Sequence, residues 1–299
     1  MNKEIKKTSI GGQALFEGIL MKGPFQTSIV VRKPNGELQK KIIDRIELSK
    51  KYKIFQLPFF RGIGALYDAI KNGTKAIDYS LSFQEEEEKK ETKLESIFYS
   101  VVSFLIIALF FVAFFYVPTW FSNLFRESIK SVFVLNLIEG IVRVAFFLIY
   151  VMAISQIKDI KRVFEYHGAE HKTIACYEHG EELTVENVRK HSKLHPRCGT
   201  SFMFNMVILS ALVLSFFGWP NPIIRIITRI LIIPILVGIT YELNRWMGGS
   251  DSVLSKILAK PGLFVQYIGT VKEPTDDMIE VAIEAMKMVI PEDEHADEW

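Results

Sequence analysis

IFYSVVSFLIIALFFVAFFYVPTW, residues 97–120, carries no charged side chain across 24 positions. A helix of about 20 apolar residues crosses the hydrocarbon core of a bilayer, so this run predicts a membrane span. Tyr116 and Trp120 fall near its end, where an interfacial aromatic belt belongs. A second run, VFVLNLIEGIVRVAFFLIYVMAISQI, covers residues 132–157. A third, SFMFNMVILSALVLSFFGW, covers 201–219, and after the break PNP a fourth, IIRIITRILIIPILVGITY, reaches Tyr241. The short break makes the last two a helical hairpin. The predicted fold is a mostly α integral membrane protein with four transmembrane helices and a small cytoplasmic α+β portion. Its regions are 1–93 (N-terminal, cytoplasmic), 94–157 (two spans), 158–200 (a His-rich loop), 201–241 (two spans) and 242–299 (C-terminal, cytoplasmic).

Charge distribution sets the orientation. Residues 1–96 hold 18 Lys and Arg and residues 158–200 hold eight, whereas the connection around Arg126 and Lys130 holds two and GWPNP none. The positive-inside rule then places both termini and the His-rich loop in the cytoplasm. The net charge of +2 provides no field for nucleic acid, so no sequence-specific nucleic-acid binding is expected. Two cysteines, Cys176 and Cys198, exclude a disulfide framework. No apolar stretch follows the basic start MNKEIKKTSIGG, so no secretory signal is read there. Glu139, Arg143, Arg225 and Arg229 lie within apolar runs, where charge is costly. With spans two and four running the same way, Glu139 and Arg229 share a depth and are expected to face each other. The first reading is a structural ion-pair network, and a transport path is the alternative.

Outside the spans, SIVVRKPNGELQKKIID predicts a β-hairpin, with Asn35-Gly36 suited to a type I′ turn. FQLPFFRGIGALYDAIKNGTKAIDYSLSF predicts an amphipathic helix on the membrane face, and QEEEEKKETK a solvated helix start or linker. KPGLFVQYIGTVKEPTDDMIEVAIEAMKMVI predicts a loop or strand and then a helix capped by Thr275, with Met278, Ala282, Ala285 and Val289 on its packed face. The tail PEDEHADEW is expected to fray.

The chemistry concentrates in FEYHGAEHKTIACYEHG, residues 164–180. His167 and His171 stand at i and i+4, so on a helix two imidazoles share one face and can hold one metal. With Glu170 they spell H-x-x-E-H, in which the Glu is general base. Gly168 weakens the helix this geometry needs. KHSKLHPRCGTSF adds His195 and Cys198 on a tight turn, so five of the six histidines fall between 167 and 195. Three arrangements stand: a closed four-ligand structural site of His167, His171, His195 and Cys198; an open three-ligand site with Glu170 beside it; and a hydrogen-bonded cluster without metal. Zn²⁺ is the first candidate for a divalent ion. His179 and His191 are expected to be exposed, and Cys176 to be a buried small residue. GGQALFEGILMKGP surrounds Gln13 and Glu17 with glycines. It reads as a tight turn under the hairpin, or as a polar site beside the histidine loop with Glu17 as a second base.

GGQALFEGILMKG, HGAEHKTIACYEHGEELTVENVRKHSKLHPRCGTSF and PGLFVQYIGTVKEPTDDMIEVAIEAM resemble the DUF1385 (YqhQ-like) family over nearly the whole chain. The resemblance implies a bacterial integral membrane protein of a family labelled a predicted metal-dependent enzyme. It groups Gln13, Glu17, His167, Glu170, His171, His195, Arg197 and Cys198 as one site. Two functional readings follow. One is a metal-dependent hydrolase acting at the cytoplasmic membrane face on a peptide or lipid-linked substrate. The other is a non-enzymatic scaffold or biogenesis factor that binds a translocon or another membrane partner.

Overall fold

The computed structural model describes residues 6–44, 48–84, 93–218, 222–293 and 295–299. Four strands, β1 (Gly11–Leu15), β2 (Gly18–Lys22), β3 (Gln26–Arg32) and β4 (Leu38–Asp44), form one antiparallel meander in chain order. The expected hairpin is β3–β4, but its turn is not type I′. The Gly36 amide donates to the Lys33 carbonyl, and Gly36 takes φ +87°. Pro34 thus occupies the second turn position, where its fixed φ selects a type I turn followed by a left-handed glycine. The glycine-rich stretch before it is a second hairpin, β1–β2, closed at Phe16–Glu17 with Glu17 at φ +48°.

Period-two alternation divides the sheet into two apolar faces. Leu15, Leu20, Ile29 and Val31 pack with Ala76, whereas Ile19, Met21 and Val30 join the core around Tyr166 and Ile279. After the short α1 (Leu48–Lys51), α2 (Phe60–Leu81) covers the first face. The other face is covered by α5 (Lys158–Glu178) and α10 (Asp276–Lys287). The charged run 84–93 lies outside the described residues except for Gln84 and Lys93.

Between sheet and site run α3 (Lys93–Asn123) and α4 (Val132–Ile154); beyond α5 come α6 (Val185–Lys190), α7 (Gly199–Ser215), α8 (Pro222–Gly249) and α9 (Val253–Val265). Among the described residues, three helices are long and apolar enough to cross a membrane: Phe104–Asn123, Val132–Ile154 and Ile227–Gly249. Their outer faces expose Phe104, Leu109, Ile149 and Leu231. The expected third span is shorter than read: α7 stops at Ser215 after 17 residues. At 1.5 Å per residue it covers about 26 Å, short of the ~30 Å hydrocarbon core. The fourth is longer than read, because α8 continues past Tyr241 to Gly249.

Three C-terminal expectations change. The segment around Pro261 is helical, since α9 runs through Pro261 and into a π turn at Gln266–Thr270. Gly262 admits Ser201 of α7 at a distance that no side chain would allow. Thr275 begins α10 without a side-chain cap, while Met278, Ala282, Ala285 and Val289 are buried as read. The tail is clasped rather than frayed. Asp297 is fully buried, accepts the Thr8 hydroxyl at 2.6 Å and pairs with Lys6 at 2.6 Å. Trp299 donates its amide to the Lys7 carbonyl at 2.9 Å.

Burial opposes ionisation of Asp297, but the Lys6 ammonium and the Thr8 hydroxyl outweigh it and hold its carboxyl below the ordinary range. A depressed native pKa adds stability above the unfolded value of about 4 and loses it as pH falls through the native value. The clasp is therefore expected to hold at neutral pH and to open in acid, below about pH 4. Hydrogen exchange of the C-terminal peptide, corrected for the intrinsic rate, checks this. Asp297→Asn should leave the tail open at every pH.

Candidate metal site

Helix α5 follows α4 after a break at Ser155–Ile157 and ends at Glu178, two residues before Gly180, whose φ of +66° is the left-handed stop typical of helix ends. It therefore carries the whole H-x-x-E-H string on one helix. The His167 and His171 rings lie 4.4 Å apart. Gly168 is required by packing: a Cβ there would fall into the Lys272 carbonyl oxygen. That close approach brings the π turn against α5, and the Lys272 amide donates to the Phe164 carbonyl at 2.9 Å.

The two imidazoles are held in the same way. Nδ1 of His167 lies 2.9 Å from the Thr270 carbonyl, and Nδ1 of His171 lies 2.7 Å from the Lys193 carbonyl. A carbonyl can only accept, so each Nδ1 carries the proton. In the neutral ring each Nε2 then keeps its lone pair. Cys198 begins α7, where its sulfur accepts the Thr200 amide at 3.4 Å and sits 3.2 Å from Nε2 of His167. A ligand atom of His171 also lies within 4.8 Å of that sulfur. One ligand atom from each of His167, His171 and Cys198 lies within 4.8 Å of the others. Ligands at zinc–nitrogen and zinc–sulfur bond lengths in a tetrahedron stand about 3.3–3.8 Å apart, close to the observed sulfur–nitrogen distance.

Electrostatics match a ligand set. Burial opposes a thiolate at Cys198, but the two imidazoles override it and hold the thiol well below its ordinary range. Burial likewise opposes charge on His167, yet the Cys198 sulfur raises it to about 9. Both shifts favour an imidazolium–thiolate pair, which places a transferable proton between His167 and Cys198. Glu170 is buried on the same side. Burial raises its pKa against the pull of His171 and His167, and its side chain packs closely on Gly12. Its Oε2 is buried with no hydrogen-bond partner. His167 is the half-buried member of the cluster, while His171 and Cys198 are buried.

Other predicted residues are placed elsewhere. His195 stands beside the cluster, its ring 5.6 Å from that of His171, but its Nε2 faces Glu178 at 3.4 Å. Gln266 holds the His195 backbone on both sides, accepting its amide at 2.9 Å and donating to its carbonyl at 2.8 Å. Arg197 pairs with Glu178 and lies over the Trp299 ring. Gln13 packs on Gly73 of α2, on the far side of the sheet. Glu17 binds Arg162 through both oxygens, at 2.5 and 2.6 Å, and accepts the Tyr166 hydroxyl at 3.1 Å. Glu178, Gln266 and the Thr270 and Lys193 carbonyls are supports that sequence reasoning missed. Only Gln266, a lone amide within GLFVQYIG, left a visible signal.

Of the histidines read as exposed, His191 is largely buried and His179 is exposed; their rings lie 4.8 Å apart. Cys176 is buried as read. In the membrane helices, Glu139 binds Arg143 at 2.6 Å and Arg225 at 2.5 Å, and also Arg229.

The family described as "Protein of unknown function (DUF1385)" matches residues 57–292. The "Uncharacterized protein YqhQ" of Bacillus subtilis (strain 168) is 33% identical over 308 residues, spanning 97% of this chain and 95% of that protein. No solved structure matches. With most of its length covered in both comparisons, the chain belongs to the DUF1385 family.

Proposed function

We propose that the protein is a metal-dependent hydrolase at a membrane face, with His167, His171 and Cys198 holding a divalent ion, Zn²⁺ first, and Glu170 as general base. One observation carries this reading: both histidines donate Nδ1–H to backbone carbonyls, and each has a ligand atom within 4.8 Å of one cysteine sulfur, with Nε2 of His167 at 3.2 Å. Such outer hydrogen bonds are the usual means of orienting histidine ligands. A bound zinc supplies Lewis acidity and lowers the pKa of its water to about 7. Glu170 would take the proton of the attacking water on Oε2, and its raised pKa suits it to return that proton to the leaving group. Glu17 is the weaker candidate base, because Arg162 neutralises it. The half-buried His167 marks the side from which a peptide or lipid-linked substrate would enter. The Lys and Arg distribution supports a cytoplasmic position for the site and both termini. In this reading α7 and the start of α8 form a hairpin that completes the membrane portion.

Metal analysis tests the proposal. The purified chain is expected to carry about one zinc, and His167→Ala with His171→Ala to carry none while keeping its fold. A metal-free wild type would remove the reading. The second reading is a closed structural zinc completed by His195, as in a scaffold or biogenesis factor, and the 5.6 Å between the His171 and His195 rings favours it. X-ray absorption separates the two. Three protein ligands with one exchangeable position support the hydrolase, and four protein ligands support the scaffold.

A further inference from the structure

The apolar helices carry more basic than acidic side chains. Between Ser96 and Lys158 the only acidic residues are Glu127 and Glu139, and between Ser201 and Tyr241 there are none. Against them stand Arg126, Lys130, Arg143, Arg225 and Arg229, an excess of five minus two, or +3. The excess is concentrated. Glu139, only 2% exposed, is the single carboxylate bound by Arg143, Arg225 and Arg229 among the described residues. Thr119 bridges Arg229 and the carboxylate, at 3.0 and 3.1 Å. One carboxylate offers two oxygens to three guanidinium groups, and Nε of Arg143 is left buried without a partner. A network meant only to fix helix packing is expected to be neutral, because each uncompensated buried charge costs several kcal/mol.

A cavity of about 60 Å³, lined by Asn136, Phe217, Arg225, Thr228 and Arg229, opens beside this cluster. It has room for several waters or one small oxyanion. Arg225 and Arg229 are four residues apart on α8, so both guanidinium groups lie on one helix face. They follow Pro222 by three and seven residues, about 5–10 Å from the helix start, which is headgroup depth for a spanning helix. The positive end of the α8 dipole adds to their field. Planar guanidinium forks match phosphate oxygens in pairs, which an ammonium cannot do. Glu139 lies 15 residues before the end of α4, about 22 Å from the junction that leads to the histidine cluster, so this is a separate site.

We infer that Arg225 and Arg229, preset by Glu139 and Arg143, bind a phosphate-bearing anion at the N-terminal ends of α4 and α8, either a phospholipid headgroup or a free phosphate. The test uses the full chain in a neutral, phospholipid-free detergent. Thermal stability is followed on adding phosphatidylglycerol, phosphatidylcholine, inorganic phosphate or chloride, and lipid retention is read by native mass spectrometry. Phosphatidylglycerol alone raising the midpoint identifies a headgroup; inorganic phosphate raising it to the same extent identifies the free anion. Arg229→Gln is expected to weaken retention about tenfold or more, the effect of losing one charge-assisted contact. It leaves two arginines for one carboxylate, so its midpoint without anion should equal or exceed the wild type. Arg245→Gln, outside the cluster, should keep the full anion effect. No anion-dependent shift in the wild type, or equal losses in both variants, overturns the inference.

Discussion

Replacing Glu139 by leucine is expected to cost about 3–5 kcal/mol of helix assembly, the range found when one partner of a buried ion pair is removed and the other is left unpaired. The effect is at the upper end because three arginines lose their counterion at once. Thr119 cannot substitute, since a hydroxyl carries no charge. Unfolding in neutral detergent, followed by proteolysis and near-ultraviolet circular dichroism, measures the loss. Glu139→Asp, which keeps the charge and shortens the reach, should retain part of the stability. A leucine variant as stable as the wild type would show that the guanidinium groups are neutralised from outside the chain even in detergent.

The second large effect is expected at Gly168. Within a helix, glycine to alanine ordinarily gains about 1 kcal/mol. At Gly168 the sign should reverse, because the added Cβ would overlap the Lys272 carbonyl, with Pro274 close behind. Backbone cannot yield as a side-chain tip can, so a net loss of about 2–3 kcal/mol is expected, in the upper range of overpacking. Displacing Lys272 also moves Thr270, whose carbonyl holds His167. Metal affinity should therefore fall about 10- to 100-fold, as it does when an outer hydrogen bond to a ligand is lost. Competition with a zinc indicator measures the affinity, and Gly180→Ala, with open space around it, is the control for a stability change that leaves the metal alone. A stabilised Gly168→Ala would mean that the π turn does not press on α5.

Local pattern explains what could be read in advance. The long apolar runs, the β3–β4 hairpin and the packed face of α10 each follow from a periodicity within a single segment. H-x-x-E-H was visible because four residues make one helical turn. The rest depends on contacts between segments far apart in sequence. The supports of the site come from Thr270 and Lys193, through backbone atoms that every residue type has and no sequence pattern marks. His195 has the same chemistry as His171, yet Glu178 and Gln266 draw it into another network. Gly168 argued against a helix by propensity, and its packing against Lys272 decided otherwise. Pro261 and Gly262 suggested a loop for similar reasons, and the fit of α9 against Ser201 overrode them.

The clasp between Thr8 and Asp297 joins residues 289 positions apart. At about 5–20 residues per second of synthesis, Thr8 waits some 15–60 s for its partner to be made. Gly12 can meet Glu170 only after α3 and α4 have been made, and the carbonyl that orients His167 arrives 100 residues later still. The N-terminal strands are thus among the last parts of the fold to be closed in. Any factor that engages the nascent N-terminal strand acts within that interval, on a chain whose His167 is made well before the Thr270 carbonyl that orients it.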